Sequence, residues 1–325
     1  MTLLIASIFI ILFILELLYF KIAAHYNITD KPNHRSSHTE VTVRGGGVVF
    51  SFATIIFFFT YGFQYPYFIS GLILIALISF LDDILTLNNK VRLTVHLISV
   101  LLLFCQWGLF SMSWYWLVIA AVFVIGVINA YNFMDGINGI TGSYSLLAIA
   151  TFYFINEHVV KFSSSEFLII IGLSLLVFNF FNFRTRAKCF AGDVGSVSIA
   201  FIIIFLLGQL IIVTENFNYI LLLLLYGLDA VITIIFRLIR KENIFKAHRS
   251  HFYQFLANEK KISHLLISAI YFFIQLGINC LLIFYVKDSS FLSFGLILLS
   301  SLLYLGLRIG FEGQRLIKRD LSLIK

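Results

Sequence analysis

Proline is nearly absent: two residues in 325, Pro32 and Pro66, both in stretches that read as loops, so nothing breaks the helices expected between them. Charge is scarce as well. Asp, Glu, Lys and Arg make up 12% of the chain against 60% hydrophobic residues, and mean hydropathy is +0.99, where a soluble domain carries about 25% charge. That excludes an ordinary soluble domain and leaves a polytopic integral membrane protein. The three cysteines, Cys105, Cys189 and Cys280, lie far apart without metal-like spacing, which excludes a disulfide framework and predicts buried, reduced thiols. There is no internal repeat, low-complexity tract or soluble domain, so residues 1–325 read as a single membrane domain.

Eleven apolar stretches are present, at 3–24, 46–63, 67–82, 93–110, 114–131, 141–156, 166–182, 195–214, 218–238, 263–286 and 291–309. Each approaches the length a helix needs to cross a bilayer, predicting an all-α fold of about 10–11 transmembrane helices. The first stretch has no basic residue before it and reads as a retained helix rather than a signal peptide. With the N-terminus outside and the C-terminus in the cytoplasm, every Lys and Arg except Lys161 and Lys287 falls on inward loops or helix ends. This positive-inside asymmetry explains the net charge of +7 and removes nucleic acid as a partner. It also places 30–47, 82–92, 129–138, 182–196 and 248–254 on one face, predicting a cytoplasmic-face site.

The stretch NAYNFMDGINGI, from Asn129 to Ile140, brings Asn132, Asp135 and Asn138 to the end of an apolar run. Polar groups there are costly in hydrocarbon, and at 100° per residue they cannot share one helix face, so the segment reads as a helix end opening into a binding loop. Gly136 and Gly139 would break the helix and admit a ligand to the backbone. A plain polar turn is the alternative. In the first loop, Arg35, His38 and Arg44 can meet anions, and Gly45, Gly46 and Gly47 would present backbone N–H groups to phosphate at a helix start; an ordinary basic loop with a glycine turn would look alike. Asp82 and Asp83 end a helix where carboxylates oppose the macrodipole, so one of them could accept a proton or bind a cation, unless Lys90 and Arg92 merely neutralise a solvated end. Asp193, in GDVGS, occupies an expected N-cap position, and could be a cap alone or a Mg2+ ligand beside phosphates. His248, Arg249 and His251 suit a pyrophosphate; zinc lacks a third ligand, and a plain basic loop is the simpler alternative.

Together, DKPNHRSSH with RGGG, the Asp82–Asp83 pair, NAYNFMDGINGI, GDVGS and the histidine loop span residues 30–254. In this order the chain resembles the polyprenyl-phosphate N-acetylhexosamine-1-phosphate transferases, glycosyltransferase family 4, which include phospho-N-acetylmuramoyl-pentapeptide transferase and the enzymes that start O-antigen synthesis. The resemblance implies transfer of a sugar 1-phosphate from a UDP-N-acetylhexosamine to undecaprenyl phosphate with Mg2+, releasing UMP, at the bacterial inner membrane. Carried onto this chain, Asp82 would be the base on the lipid phosphate, helped by Asp83, with Asp193 and Asp82 at the metal. Asn132, Asp135 and Asn138 would contact the nucleotide, and His248, Arg249 and His251 the diphosphate or sugar. Arg44 and Asn182 complete the substrate-binding set, and the resemblance leaves a homodimer open.

The chain departs from the pattern in places. Asn138 stands where the family often has a second aspartate, Val41 and Val43 replace prolines, and the segment from Asn182 to Asp193 lacks its usual prolines. The histidine loop, HRSHFYQ, looks more like the O-antigen-initiating branch, whose donors include N-acetylated 6-deoxyhexosamines. A secondary transporter for an anionic solute is the rival from another class. It would place ionisable residues near the midplane on broken helices, with inverted repeats.

Overall fold

The computed structural model describes residues 2–30, 40–85, 87–244 and 248–317. Arg35 and His38 lie outside these. All eleven apolar stretches form helices: α1 (Thr2–His25), α2 (Val48–Thr60), α3 (Pro66–Leu85), α4 (Asn89–Trp107), α5 (Trp114–Met134), α6 (Ile140–His158), α7 (Ser165–Asn182), α8 (Gly192–Thr214), a 3-10 turn (Phe217–Leu223) running into α9 (Leu224–Ile239), α11 (His264–Leu281) and α12 (Ser290–Glu312), with the short α10 (Phe252–Asn258) in the loop before α11. Nine of the helical segments among the described residues are long and apolar enough to cross a membrane. The shorter α2 and the Ser- and Thr-rich α6 complete the bundle. The protein is an all-α, multi-pass membrane protein.

Polar residues at the boundaries set where the helices start. Asn88 accepts a hydrogen bond from the Lys90 backbone, and Ser164, Ser263 and Ser289 cap α7, α11 and α12 in the same way. Gly108 ends α4 in the left-handed region at φ +69°.

The centre is α8, whose residues Val194 to Leu207 are all buried. At the periphery, α12 turns Phe291, Phe294, Leu302 and Leu303 outward, as lipid-facing residues do. Where the chain passes from the 3-10 turn into α9, Gln275 donates to the Leu221 carbonyl at 3.0 Å and accepts from the Leu225 N–H at 2.9 Å. Backbone freed by a helix break inside the bundle is thereby satisfied.

Two features differ from expectation. Cys105 and Cys280 are exposed on outer helix faces, and only Cys189 is buried; all three are free thiols. A two-stranded antiparallel ladder, β1 (Thr29–Asp30) with β2 (Thr42–Val43), closes the first loop. The Phe190 N–H donates to the Val43 carbonyl at 2.8 Å, tying this ladder to the segment before α8. So short a ladder has no periodicity for a sequence to display, and it fixes the position of Arg44.

Candidate active site

Ends of α3, α4, α5 and α8 meet at one end of the bundle. Arg44 Nε lies 2.7 Å from Asp83 Oδ1, and its Nη2 is 3.4 Å from Asp193 Oδ1. From the other side, Arg92 Nη1 lies 2.6 Å from Asp82 Oδ2 and its Nη2 is 3.3 Å from Asp193 Oδ2. Asp193 is therefore bracketed by two guanidinium groups, each reaching back to one of the paired aspartates. Arg92, which sequence offered only as a neutralising charge, is a full member of this constellation.

Asp193 is not the cap of α8. It sits in the first turn, and Asp83 caps the helix from α3, accepting from the Asp193 N–H at 3.0 Å and the Val194 N–H at 3.1 Å. A carboxylate at a helix N-terminus meets both the free N–H groups and the positive end of the dipole, which is why an acid at the end of α3 is tolerated. Asp82 accepts from the Leu87 N–H at 2.7 Å, which steers its other oxygen to Arg92.

The glycine run works differently from a phosphate cradle. The N–H groups of Gly46 and Gly47 donate to the carbonyls of Phe190 and Ala191 at 2.9 and 3.2 Å. What Gly47 provides is contact: a Cβ there would stand 2.2 Å from the Gly195 Cα. The start of α2 thus lies directly on α8, and Arg44 reaches Asp193. Gly136 and Gly139 likewise admit protein rather than ligand. Their missing side chains make room for the Tyr253 hydroxyl and the Phe183 ring, and Gly139 has φ +84°.

After Met134 the chain leaves the helix, as expected for the segment from Asn129. Asn132 accepts from the Ser196 hydroxyl at 2.8 Å, joining α5 to α8. Asp135 is half-buried, and burial first, then the charges of Asp193 and Asp83, raise its carboxyl to about 7 against an opposing hydrogen bond from Thr141 and the charge of Arg44. It belongs to the same electrostatic cluster.

Asn138 and Asn182 are committed elsewhere. The Asn138 amide donates to the carbonyls of Arg184 and Thr185 at 2.9 and 3.2 Å, while Asn182 accepts from the Gly139 N–H and donates to the Cys189 carbonyl, both at 2.8 Å. Both are buried. In this structure they brace the two loops against each other, at the positions where Asn138 was expected to contact the nucleotide and Asn182 to join the substrate-binding set.

The histidine loop packs against the end of α5. The rings of His248 and His251 stack at 5.1 Å beside Phe133, and the Tyr253 hydroxyl donates to the Phe133 carbonyl at 2.7 Å. Arg249 lies half-buried between the two histidines in sequence. Burial, then the neighbouring charges of His251 and Arg237, hold the His248 imidazole down to about 3. Its Nδ1 accepts from the Ser250 N–H at 3.3 Å, so this ring is neutral with its proton on Nε2. As the ring stands, His248 adds no charge to the trio expected to hold the diphosphate or sugar. Sequence reasoning also missed Asp229, whose Oδ1 lies 2.9 Å from His251 Nδ1. A lone acid inside the apolar run 218–238 was the signal for it.

Among the described residues no three His, Cys, Asp or Glu side chains are grouped closely enough to enclose a metal. Asp82 and Asp193, joined through Arg92, instead offer two anionic oxygen donors. Magnesium keeps several waters and is held by one or two carboxylates plus substrate phosphates, so this donor set fits a cation shared with a phosphorylated ligand.

The fold and site define a polytopic membrane protein with a polar centre of acids and arginines, built from helix ends. Comparison with known proteins bears out the resemblance read from the motifs: residues 65–211 match the model described as glycosyl transferase family 4. The probable undecaprenyl-phosphate N-acetylglucosaminyl 1-phosphate transferase of Bacillus subtilis is 26% identical over 259 residues, covering 71% of this chain and 70% of that protein. The phospho-N-acetylmuramoyl-pentapeptide-transferase of Thermotoga petrophila is 29% identical over 205 residues, 56% of this chain and 65% of its own. The undecaprenyl-phosphate alpha-N-acetylglucosaminyl 1-phosphate transferase of Escherichia coli K12 is 28% identical over 224 residues, 61% and 60% respectively. The chain thus spans 60% to 70% of the length of these relatives.

Proposed function

We propose that this protein transfers a sugar 1-phosphate from a UDP-N-acetylhexosamine to undecaprenyl phosphate. An oxygen of the lipid phosphate attacks the sugar-bearing phosphorus, a new P–O–P bond forms, the old one breaks, and UMP leaves. The observation that carries this reading is Asp193 held between Arg44 and Arg92, with Asp82 and Asp83 behind them. Phosphoryl transfer asks for positioning and for cations where charge gathers, and this cluster supplies both at the end of a lipid-embedded bundle. The names of the relatives support the same reaction.

In the proposed mechanism Asp82, one-tenth exposed and within reach of Arg92, takes the proton of the lipid phosphate. Arg44 and Arg92 bind phosphate oxygens as the ligand displaces their carboxylate partners. Asp193 and Asp82 would hold Mg2+, which when bound supplies positive charge at the diphosphate. Asp83 keeps α8 in place and does not touch substrate. The site faces the cytoplasm, where UDP-sugars are, with the N-terminus outside. The histidine loop supports a donor of the N-acetylated hexosamine or 6-deoxyhexosamine type and a product that begins a surface glycan such as O-antigen.

The test is purified protein in detergent with Mg2+, undecaprenyl phosphate and a panel of UDP-sugars, following UMP. Release with at least one N-acetylhexosamine donor, dependent on the lipid phosphate, is expected. No UMP from any donor, with solute counterflow in proteoliposomes, would replace this reading by transport.

A further inference from the structure

Asp229 lies in α9 with its side chain wholly buried, among groups the proposed chemistry does not use. Four donors converge on it. Its Oδ1 accepts from the Phe252 N–H at 3.3 Å and the Thr233 hydroxyl at 3.3 Å and lies 2.9 Å from His251 Nδ1, while its Oδ2 accepts from the Tyr271 hydroxyl at 2.6 Å. The Phe252 N–H and the Thr233 hydroxyl both donate to Oδ1, so with the carboxyl ionised the proton between Asp229 and His251 belongs to Nδ1.

That assignment leaves one atom of the imidazole uncommitted. His251 Nε2 is buried and has no hydrogen-bond partner among the described residues, although the ring itself is 2% exposed and held in place by stacking on His248. A buried polar atom without a partner is costly unless a ligand completes it. The network also extends to α12, most of which faces lipid. Arg308, fully buried there, donates to the Thr233 hydroxyl at 2.8 Å and to the Ser250 carbonyl at 3.0 Å, and its Nε lies 2.6 Å from Glu312. It thereby holds both α9 and the residue before His251.

We infer that Asp229 is the positioning residue for His251: it fixes the imidazole with Nδ1–H inward, presents Nε2 to a phosphate oxygen or hydroxyl of the substrate, and carries the counter-charge when the ring is protonated, while Arg308 anchors the pair to the last helix. An Asp–His pair of this kind sets both tautomer and direction. The contact with substrate rests on the proposed transferase reading; the state of the ring does not.

A double-mutant cycle tests it, using Asp229→Asn, His251→Gln and the double variant in the UMP-release assay. Each single change should lower kcat tenfold or more with KM for undecaprenyl phosphate within twofold, and the double variant should be no slower than the slower single one, because the two act as one unit. Losses that multiply, or a His251→Gln variant with wild-type kcat, would overturn the proposal. If Asp229→Asn does not purify as a monodisperse protein, Tyr271→Phe carries the same cycle, with a smaller loss expected. Independently of turnover, 15N-histidine spectra should show one residue protonated at Nδ1 that disappears in His251→Gln and changes in Asp229→Asn. An unchanged signal in Asp229→Asn overturns the positioning role even if the protein proves to be no transferase.

Discussion

Asp83 caps a helix to which it does not belong: both its oxygens accept from the first N–H groups of α8, at Asp193 and Val194, while Arg44 closes on it from the opposite side. Its neighbour Asp82 has no such duty. Hydrogen bonds to a charged acceptor are worth about 1.5 to 3 kcal/mol, whereas the Arg44 contact adds less because that guanidinium is exposed enough to be screened. Asp83→Ala should therefore lower stability by about 2 to 3 kcal/mol. Asp82→Asn should leave the melting midpoint near wild type, since an amide oxygen still accepts from Leu87, yet abolish turnover. Melting in detergent alongside UMP release checks both. An Asp82 variant with a lowered melting midpoint and full activity would reverse the two roles.

In the proposed function a divalent cation would compete with arginine for the same carboxylate. Asp193 uses one oxygen for each guanidinium, and a cation held with a diphosphate would take over part of that neutralisation. EDTA should stop turnover and Mg2+ restore it. A cation at a hundred times its dissociation constant stabilises the folded state by about 2.7 kcal/mol, so Mg2+ with UDP should raise the melting midpoint of the wild type. Asp193→Asn should lose both the activity and this shift; an equal shift in that variant would remove Asp193 from the metal.

Asp135 gives the site a pH dependence of defined sign. Its carboxyl rises from an ordinary 3.8 to about 7, so between those values the folded protein holds this proton more tightly than the unfolded chain does. The contribution to stability is complete below 3.8 and is lost as pH rises through 7. Removing the charge with Asp135→Asn should make the protein more stable than wild type at pH 8, by up to about 4 kcal/mol, with the gap closing toward pH 4. Thermal melts across that range check it, and a gap that widens on acidification would contradict the assigned environment.

The sequence showed much of this arrangement because its strongest signals are local. Hydrocarbon tolerates little polarity, so apolar runs of spanning length mark the helices, and acids and arginines collect at their ends, as Arg44, Asp82, Asp83 and Asp193 do. What it hid depends on pairing across the bundle. The N–H groups of Gly46 and Gly47 looked free until Phe190 and Ala191 supplied their acceptors. Nor did it show that the amides of Asn138 and Asn182 are each bonded to the other's loop. Asp229 and Arg308 sat in apolar runs as isolated anomalies, and only the packing of α9, α10, α11 and α12 joined them to His251. An intramembrane charge was the available clue, and its partner was not deducible without the fold.

The contact between Gly47 and Gly195 is where fold and chemistry are tied most closely. A Cβ at Gly47 would meet the Gly195 Cα at 2.2 Å and the Ala191 carbonyl at 3.1 Å, backbone atoms that cannot rotate away. Gly47→Ala must therefore push the start of α2 off α8, at a cost of about 1 to 3 kcal/mol for overpacking. Arg44 lies three residues earlier, and its 3.4 Å contact with Asp193 depends on that approach. Activity should fall by more than the stability loss explains, tenfold or more at temperatures where the variant is fully folded. Gly126→Ala, at a glycine in α5 where an added Cβ would meet open space, should change neither property. A Gly47→Ala protein with wild-type kcat below its melting range would show that Arg44 reaches Asp193 without the help of this helix crossing.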